Sequence, residues 1–415
     1  MAKLNEEYKA NDVTFVNSKN VPFQRWYPYI EGYSPDFVRT IIKENVPNAK
    51  LIYEPFAGTG TTLFAADSLS INTVYSEVNP LLRFLINVKL QILSMDYETR
   101  RKKAILLRTI APKILDKSKL CSESEELKTS YANTFGASIY FPEDQYRKIL
   151  KLRTYIDELE DKVLADLLTI ACFACLLPVS FLKKQGDVRF KTQKERETQM
   201  KVLEEILSDK ILQIADDVDD WTQNIKFTHT LACTNAKLIG NVELDTKIDA
   251  VVTSPPYLNG TNYFRNTKLE LWFLKELKSK SSLRNFRDEA LTSAICDVKK
   301  SYCNLDVELG SQLYDNTLEQ LKATAYDRRI PLMAKCYFAE MQQLFSGLPK
   351  HLNKNSMLFI DLGDSIFGGV HVQTDLILTE VLESIGYHFE ERIILRERRS
   401  RNNEILSQVL LKYRY

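Results

Sequence analysis

The feature that most constrains the fold is a short apolar strand running into two closely spaced glycines and then into a helix. Residues 50 to 54, KLIYE, carry strand character; PFAGTGTT follows as a turn, and LFAADSL begins a helix. NTVYSEVNP reads as a second strand ending at Glu77, with another helix beginning after Pro80. Such a strand–turn–helix–strand unit opens a doubly wound parallel sheet. Gly58 and Gly60 let the backbone approach a ligand closely, beside the unpaired amides of the helix start. Glu77, 17 residues beyond Gly60, stands where a carboxylate grips ribose hydroxyls in nucleotide-binding sheets. A dinucleotide would want a third glycine where this chain has Leu63. The remaining cofactor with an adenosine and no phosphates is S-adenosylmethionine. Asn235, after the strand FTHTLACT, is a candidate for the adenine edge; a polar strand end is the other reading.

A second strand, IDAVVT, stops at an unusual corner: Ser254, Pro255, Pro256 and Tyr257. Two prolines remove donors and fix φ, which ends a strand, and the tyrosine can simply pack nearby. Between these two motifs, residues 97 to 225 turn helical, charged and periodic. The sheet resumes with SMLFIDLGDS, a helix DLILTEVLESIG, and two strands joined by the polar turn RNNE, which read as an antiparallel hairpin. The expected fold is therefore α/β: a doubly wound, mostly parallel seven-stranded sheet with an antiparallel C-terminal hairpin and helical insertions. Five segments follow from this reading. Residues 1–96 carry the cofactor motif, 97–225 a helical insertion, 226–274 the corner, 275–345 a second insertion, and 346–415 the end of the sheet.

Composition narrows the partners. With 415 residues and a net charge of +1, no global field advertises nucleic acid, so any such partner needs local basic patches. No apolar run is expected to span a membrane, and the start lacks a signal peptide, so the expected location is the cytoplasm. Seven scattered cysteines, an odd count, fit free thiols. Cys172 and Cys175 sit inside LLTIACFACLLPV, on one face of an expected core helix, and no metal site is expected.

EPFAGTGTT resembles the cofactor-binding motif of amino-directed DNA methyltransferases, and TSPPY resembles their catalytic motif. The serine form is most similar to the N4-cytosine branch. The resemblance covers roughly 20 to 95, 226 to 275 and 350 to 415. It implies that Glu54, Pro55, Phe56, Gly58, Gly60, Thr61 and Thr62 surround S-adenosylmethionine, with Glu77 and Asn79 at the next strand end. RWYPYIEGYSPDFV, residues 25 to 38, resembles the segment that helps hold the methionine end, which implies Tyr29 and Ser34. Glu54 departs from the usual aspartate. The order of the two motifs is opposite to that of many N4-cytosine enzymes.

For chemistry, the resemblance implies that Ser254 and the Pro255 carbonyl accept the two hydrogens of an exocyclic amino group. Pro256 would stiffen the corner, and Tyr257 would stack on a base flipped from double-stranded DNA. No Pro-Cys dipeptide is present for attack on a ring carbon. DNA phosphates are expected at Lys183, Lys184, Arg189, Arg265, Arg328, Arg329, Arg398 and Arg399, although charged runs are otherwise solvated faces. The expected function is a sequence-specific cytosine-N4 methyltransferase, the protective partner of a restriction endonuclease. Adenine-N6 methylation and a catalytically silent nucleic-acid binder are the alternatives.

Overall fold

The computed structural model describes residues 8, 13–29, 32–298, 308–400 and 403–415; Cys303, Arg401 and part of the RNNE turn lie outside these. Ser34 caps α1 (Pro35–Asn45) by accepting from the Phe37 amide at 3.3 Å, and Pro35 supplies the first helical φ. β1 (Leu51–Glu54) is buried throughout; α2 (Thr61–Asp67) carries the chain to β2 (Asn72–Ser76), which pairs parallel to β1. α3 (Pro80–Ser94) then leads into the insertion. Within the insertion lies a hairpin of β3 (Leu182–Gln185) and β4 (Asp187–Phe190). The sheet continues with β5 (His229–Cys233), β6 (Ile248–Thr253) and β7 (Leu352–Gly363). A small pair, β8 (Ser365–Phe367) and β9 (Val370–Val372), precedes β10 (His388–Arg399) and β11 (Ile405–Arg414).

The order across the sheet is β10-β11-β7-β6-β1-β2-β5. β5, β2, β1, β6 and β7 run parallel, and β11 pairs antiparallel with both β7 and β10. The expected α/β architecture is thus present, strand for strand. Period-two alternation sends Ile52 and Val252 to one face, where they meet Phe37, Val38 and Ile41 of α1. Tyr53 and Val251 point the other way, against Tyr337, Phe338 and Leu378 of the helices Arg329–Gly347 and Thr374–Ser384. Helices cover both faces, so the parallel strands need no polar side.

Three expectations change. The insertion is not helical throughout: FLKKQGDVRF folds as the β3–β4 hairpin, because Gly186, at φ 72°, supplies the left-handed turn residue. β2 ends at Ser76, one residue before Glu77. One apolar run does reach membrane-span length: the helix Lys162–Val179 has 18 residues and a mean hydropathy of 2.0. Its apolar surface is taken up inside the protein, where Ile170 and Phe173 pack with Leu85 and Val88 of α3 and with Leu207 and Ile211. Cys172 and Cys175 lie buried in that same helix, and burial pushes the Cys175 thiol up to about 12.

The insertion also holds the N-terminal segment. Asp217, on the helix Leu203–Asp220, is buried and accepts from the Phe23 amide at 3.2 Å, Arg25 Nε at 3.0 Å and Trp26 Nε1 at 2.9 Å. Phe23 is thereby kept at φ 64°, a conformation that a residue with a Cβ adopts at a cost. Asp217→Ala leaves these donors without an acceptor. We expect a loss of roughly 3 kcal/mol, read as a lower midpoint of urea unfolding. An unchanged midpoint would mean that the segment is held by packing alone.

Candidate active site

The strand ends of β1, β2, β6 and β7 converge on one cavity of about 480 Å³. Its first wall is the glycine turn. Ala57 N donates to Ser76 O at 3.0 Å and Gly60 N to Ala57 O at 2.8 Å, which folds the turn against the end of β2. Gly58, at φ 56°, faces the Tyr29 ring so closely that a Cβ there would lie 3.3 Å from it. Behind the turn, the buried Lys89 donates to Thr59 O at 2.9 Å, and desolvation lowers its pKa to about 7.

Glu77 stands at the next corner with each carboxylate oxygen held by one backbone amide. Gly58 N donates to Oε2 at 2.7 Å and Asn79 N to Oε1 at 2.8 Å. Each oxygen keeps a further lone pair. Burial raises this group to about 7 in spite of the two amides. Phe56, Val78, Asn79 and Asn235 also line the cavity. Asn79 also caps α3 at the Leu81 amide, 3.1 Å, and Asn235 Oδ1 accepts from Lys237 N at 3.1 Å.

The opposite wall is the proline corner. Ser254, Pro255, Pro256 and Tyr257 all line the cavity. Ser254 Oγ donates to the Tyr257 hydroxyl at 3.4 Å, and Gln408 Nε2 donates to that hydroxyl at 3.0 Å and to Asp361 Oδ1 at 2.8 Å. Asp361 lies at the end of β7, beside β6, and is 2% exposed. Burial lifts it to about 6, while hydrogen bonds from Gln408, Tyr257 and Ser254 oppose the rise. Neither Asp361 nor Gln408 is evident from the motifs. The one signal for Asp361 is an acid inside the apolar run MLFIDLG.

Several expected residues stand behind the walls. Glu54, Ser34, Gly60 and Thr62 do not line the cavity. Glu54 instead accepts from Thr253 Oγ1 at 2.6 Å, Thr62 Oγ1 at 2.8 Å, Phe56 N at 3.0 Å and the Tyr33 hydroxyl. Pro55, Thr61 and Tyr29 do line it. Among the basic residues, Lys183 and Arg189 face each other across the hairpin and both bind Glu195, at 3.1 and 2.8 Å, and Lys184 lies half-buried on β3 opposite Val188. Arg265 is 3.9 Å from Asp187, and Arg329 binds Asp327 at 2.6 Å beside the exposed Arg328. Arg399 donates to Asn403 at 3.1 Å, and Arg398 reaches the cavity rim.

No protein-family profile matches the chain. Among curated proteins it is similar to the type II methyltransferase M.AvaI of Nostoc sp. and of Anabaena variabilis. Identity there is 26% over 95% of this chain and 85% of the relative. It is also 23% identical to the type II methyltransferase M.BsoBI of Geobacillus stearothermophilus, over 96% of this chain and 85% of that protein.

The cavity has a measurable signature. Glu77, Asp361 and Asp297 line it and Glu270 is buried elsewhere, and burial raises all four to between about 6 and about 7. Between pH 5 and 7 the folded state therefore holds protons that the unfolded chain has lost, so stability falls as pH rises. His351 and Lys89, both lowered by burial, oppose this with one proton each. The ligand-free protein should lose on the order of several kcal/mol from pH 5 to 7.5 in denaturant titrations. A flat profile would show that these carboxyls are already ionised at pH 5.

Proposed function

We infer that this chain is a type II DNA methyltransferase, and from that premise we propose that it methylates the exocyclic N4 of a cytosine turned out of double-stranded DNA. One observation carries the reading: the proline corner, backed by Asp361 and Gln408, opens on the same cavity as Gly58 and Glu77. S-adenosylmethionine, when bound, supplies an electrophilic sulfonium methyl. The residues present fit it. Glu77 has lone pairs free for ribose hydroxyls, Gly58 has no Cβ to bar close approach to the turn, and Phe56 and Val78 add apolar lining to a cavity that Asn235 also lines.

The amino nitrogen of cytosine is a poor nucleophile because its lone pair is delocalised into the ring. Acceptors aimed at its two hydrogens favour the pyramidal nitrogen and the positive charge that develops there. The Pro255 carbonyl is one acceptor, fixed in direction by the two prolines. Ser254 Oγ is the other. Its one hydrogen is directed to the Tyr257 hydroxyl, so its lone pairs are free to face the cavity. Asp361, near 6, is ionised at neutral pH and is a base of suitable strength for the proton that the nitrogen sheds, relayed by the serine. Tyr257, held at its hydroxyl by Gln408, stacks on the base, a contact worth roughly 1–3 kcal/mol. The restriction partner that such an enzyme protects against is part of the same proposal.

Labelled-methyl transfer to plasmid DNA, followed by nucleoside analysis, tests the reading. N4-methylcytosine is the expected product; N6-methyladenine would overturn the base assignment, and no incorporation the enzymatic reading. Ser254→Ala and Asp361→Asn are each expected to lower kcat roughly 100-fold or more. The wild-type kcat should fall as pH drops through about 6, where Asp361 takes up its proton. A residual Asp361→Asn rate with the same pH dependence would remove Asp361 from the relay.

A further inference from the structure

Half of the cations that the sequence offers to DNA are ion-paired within the protein: Lys183 and Arg189 share Glu195, Arg265 lies 3.9 Å from Asp187 and Arg329 binds Asp327. Arg396 and Arg398 differ. Both are exposed and line the cavity, and among the described residues neither side chain has a hydrogen-bonding or ion-pair partner.

Their position depends on a β-bulge. β10 pairs with β11 as Ile394↔Val409, and then the register shifts to Arg396↔Gln408 and Arg398↔Leu406. Without the extra residue, Leu395 would oppose Gln408, and Glu397 would oppose Leu406. Directly opposed residues project from the same face of an antiparallel pair, and Gln408 and Leu406 both line the cavity. The bulge thus sets two arginines at the rim in place of a leucine and a glutamate, the kind of re-aiming bulges perform beside active sites. Below that rim the lining is acidic, with Glu77, Asp361 and Asp297. A neutral base can enter such a cavity, whereas a phosphate is repelled from its floor and attracted to its edge.

We propose that Arg396 and Arg398 clamp the phosphates flanking the extruded nucleotide, at the mouth of the cavity. The inference rests on the methyltransferase reading and adds the residues that hold the flipped strand. Guanidinium groups suit this role because they bind phosphate in a bidentate manner and stay charged.

The test is the salt dependence of binding to a plasmid-derived duplex. Each neutralised phosphate contributes about 0.9 to the slope of log K against log salt. Arg396→Gln with Arg398→Gln should lower the slope by roughly 1.8, and Arg398→Gln alone by roughly 0.9. The paired Lys variants should retain the slope, which separates loss of charge from loss of fold. Lys322→Gln, whose side chain is bound to Glu319 at 2.7 Å, should leave it unchanged. An unchanged slope in the double Gln variant overturns the clamp. Methyl transfer by the wild type to the same plasmid is measured in parallel. Transfer with an unchanged slope overturns the clamp alone; no transfer overturns the methyltransferase reading and the clamp with it.

Discussion

A single buried carboxylate joins the two halves of the site. Glu54 ends β1, and its four hydrogen bonds reach β6 through Thr253, α2 through Thr62, the glycine turn through Phe56 N, and the N-terminal segment through Tyr33. Four donors meet the four lone-pair directions of a carboxylate, which offsets the burial that pushes its pKa up. The glycine turn and the proline corner are therefore referenced to the same atom pair. The glutamate in place of the usual aspartate gains a purpose here: its extra methylene extends the carboxylate across to Thr253 on the neighbouring strand.

The cavity that results is electrostatically divided. Its floor gathers acids whose charged forms are disfavoured by burial, and a buried lysine behind the turn is disfavoured in the same way. Its rim carries two arginines whose side chains have no partner among the described residues. A ligand with positive charge and hydroxyl donors relieves the floor, and a polyanion meets the rim. The folded chain holds this arrangement at the expense of stability near neutral pH, as functional sites commonly do.

Much of the sheet was legible in the sequence. Glycines at a strand end, period-two runs and a proline stop are local signals, and each kept its meaning in the fold. The β3–β4 hairpin was hidden because Lys183 and Arg189 occupy cross-strand positions that read as part of a charged run, and their shared Glu195 lies outside the hairpin. Asp361 was hidden for another reason. Its partners Ser254, Tyr257 and Gln408 come from two other parts of the chain, and only strand order brings them together. The bulge that aims Arg396 and Arg398 has no composition of its own. It is a count of residues between two strands.

The grip of Asp217 on residues 23 to 26 bears on how such a chain is made. The segment that covers the glycine turn is synthesised well before its anchor, which follows nearly 200 residues later. The central pairing of β1 with β6 waits still longer, for Ala250 and Val251. Until then the nascent chain holds an apolar β1 with an open edge and a covering segment with nothing to fasten it. Assembly of the pocket is therefore a late event in synthesis, and the intervening insertion, whose helices 97–110, 162–179 and 203–220 pack on one another, can fold first and present the anchor ready-made.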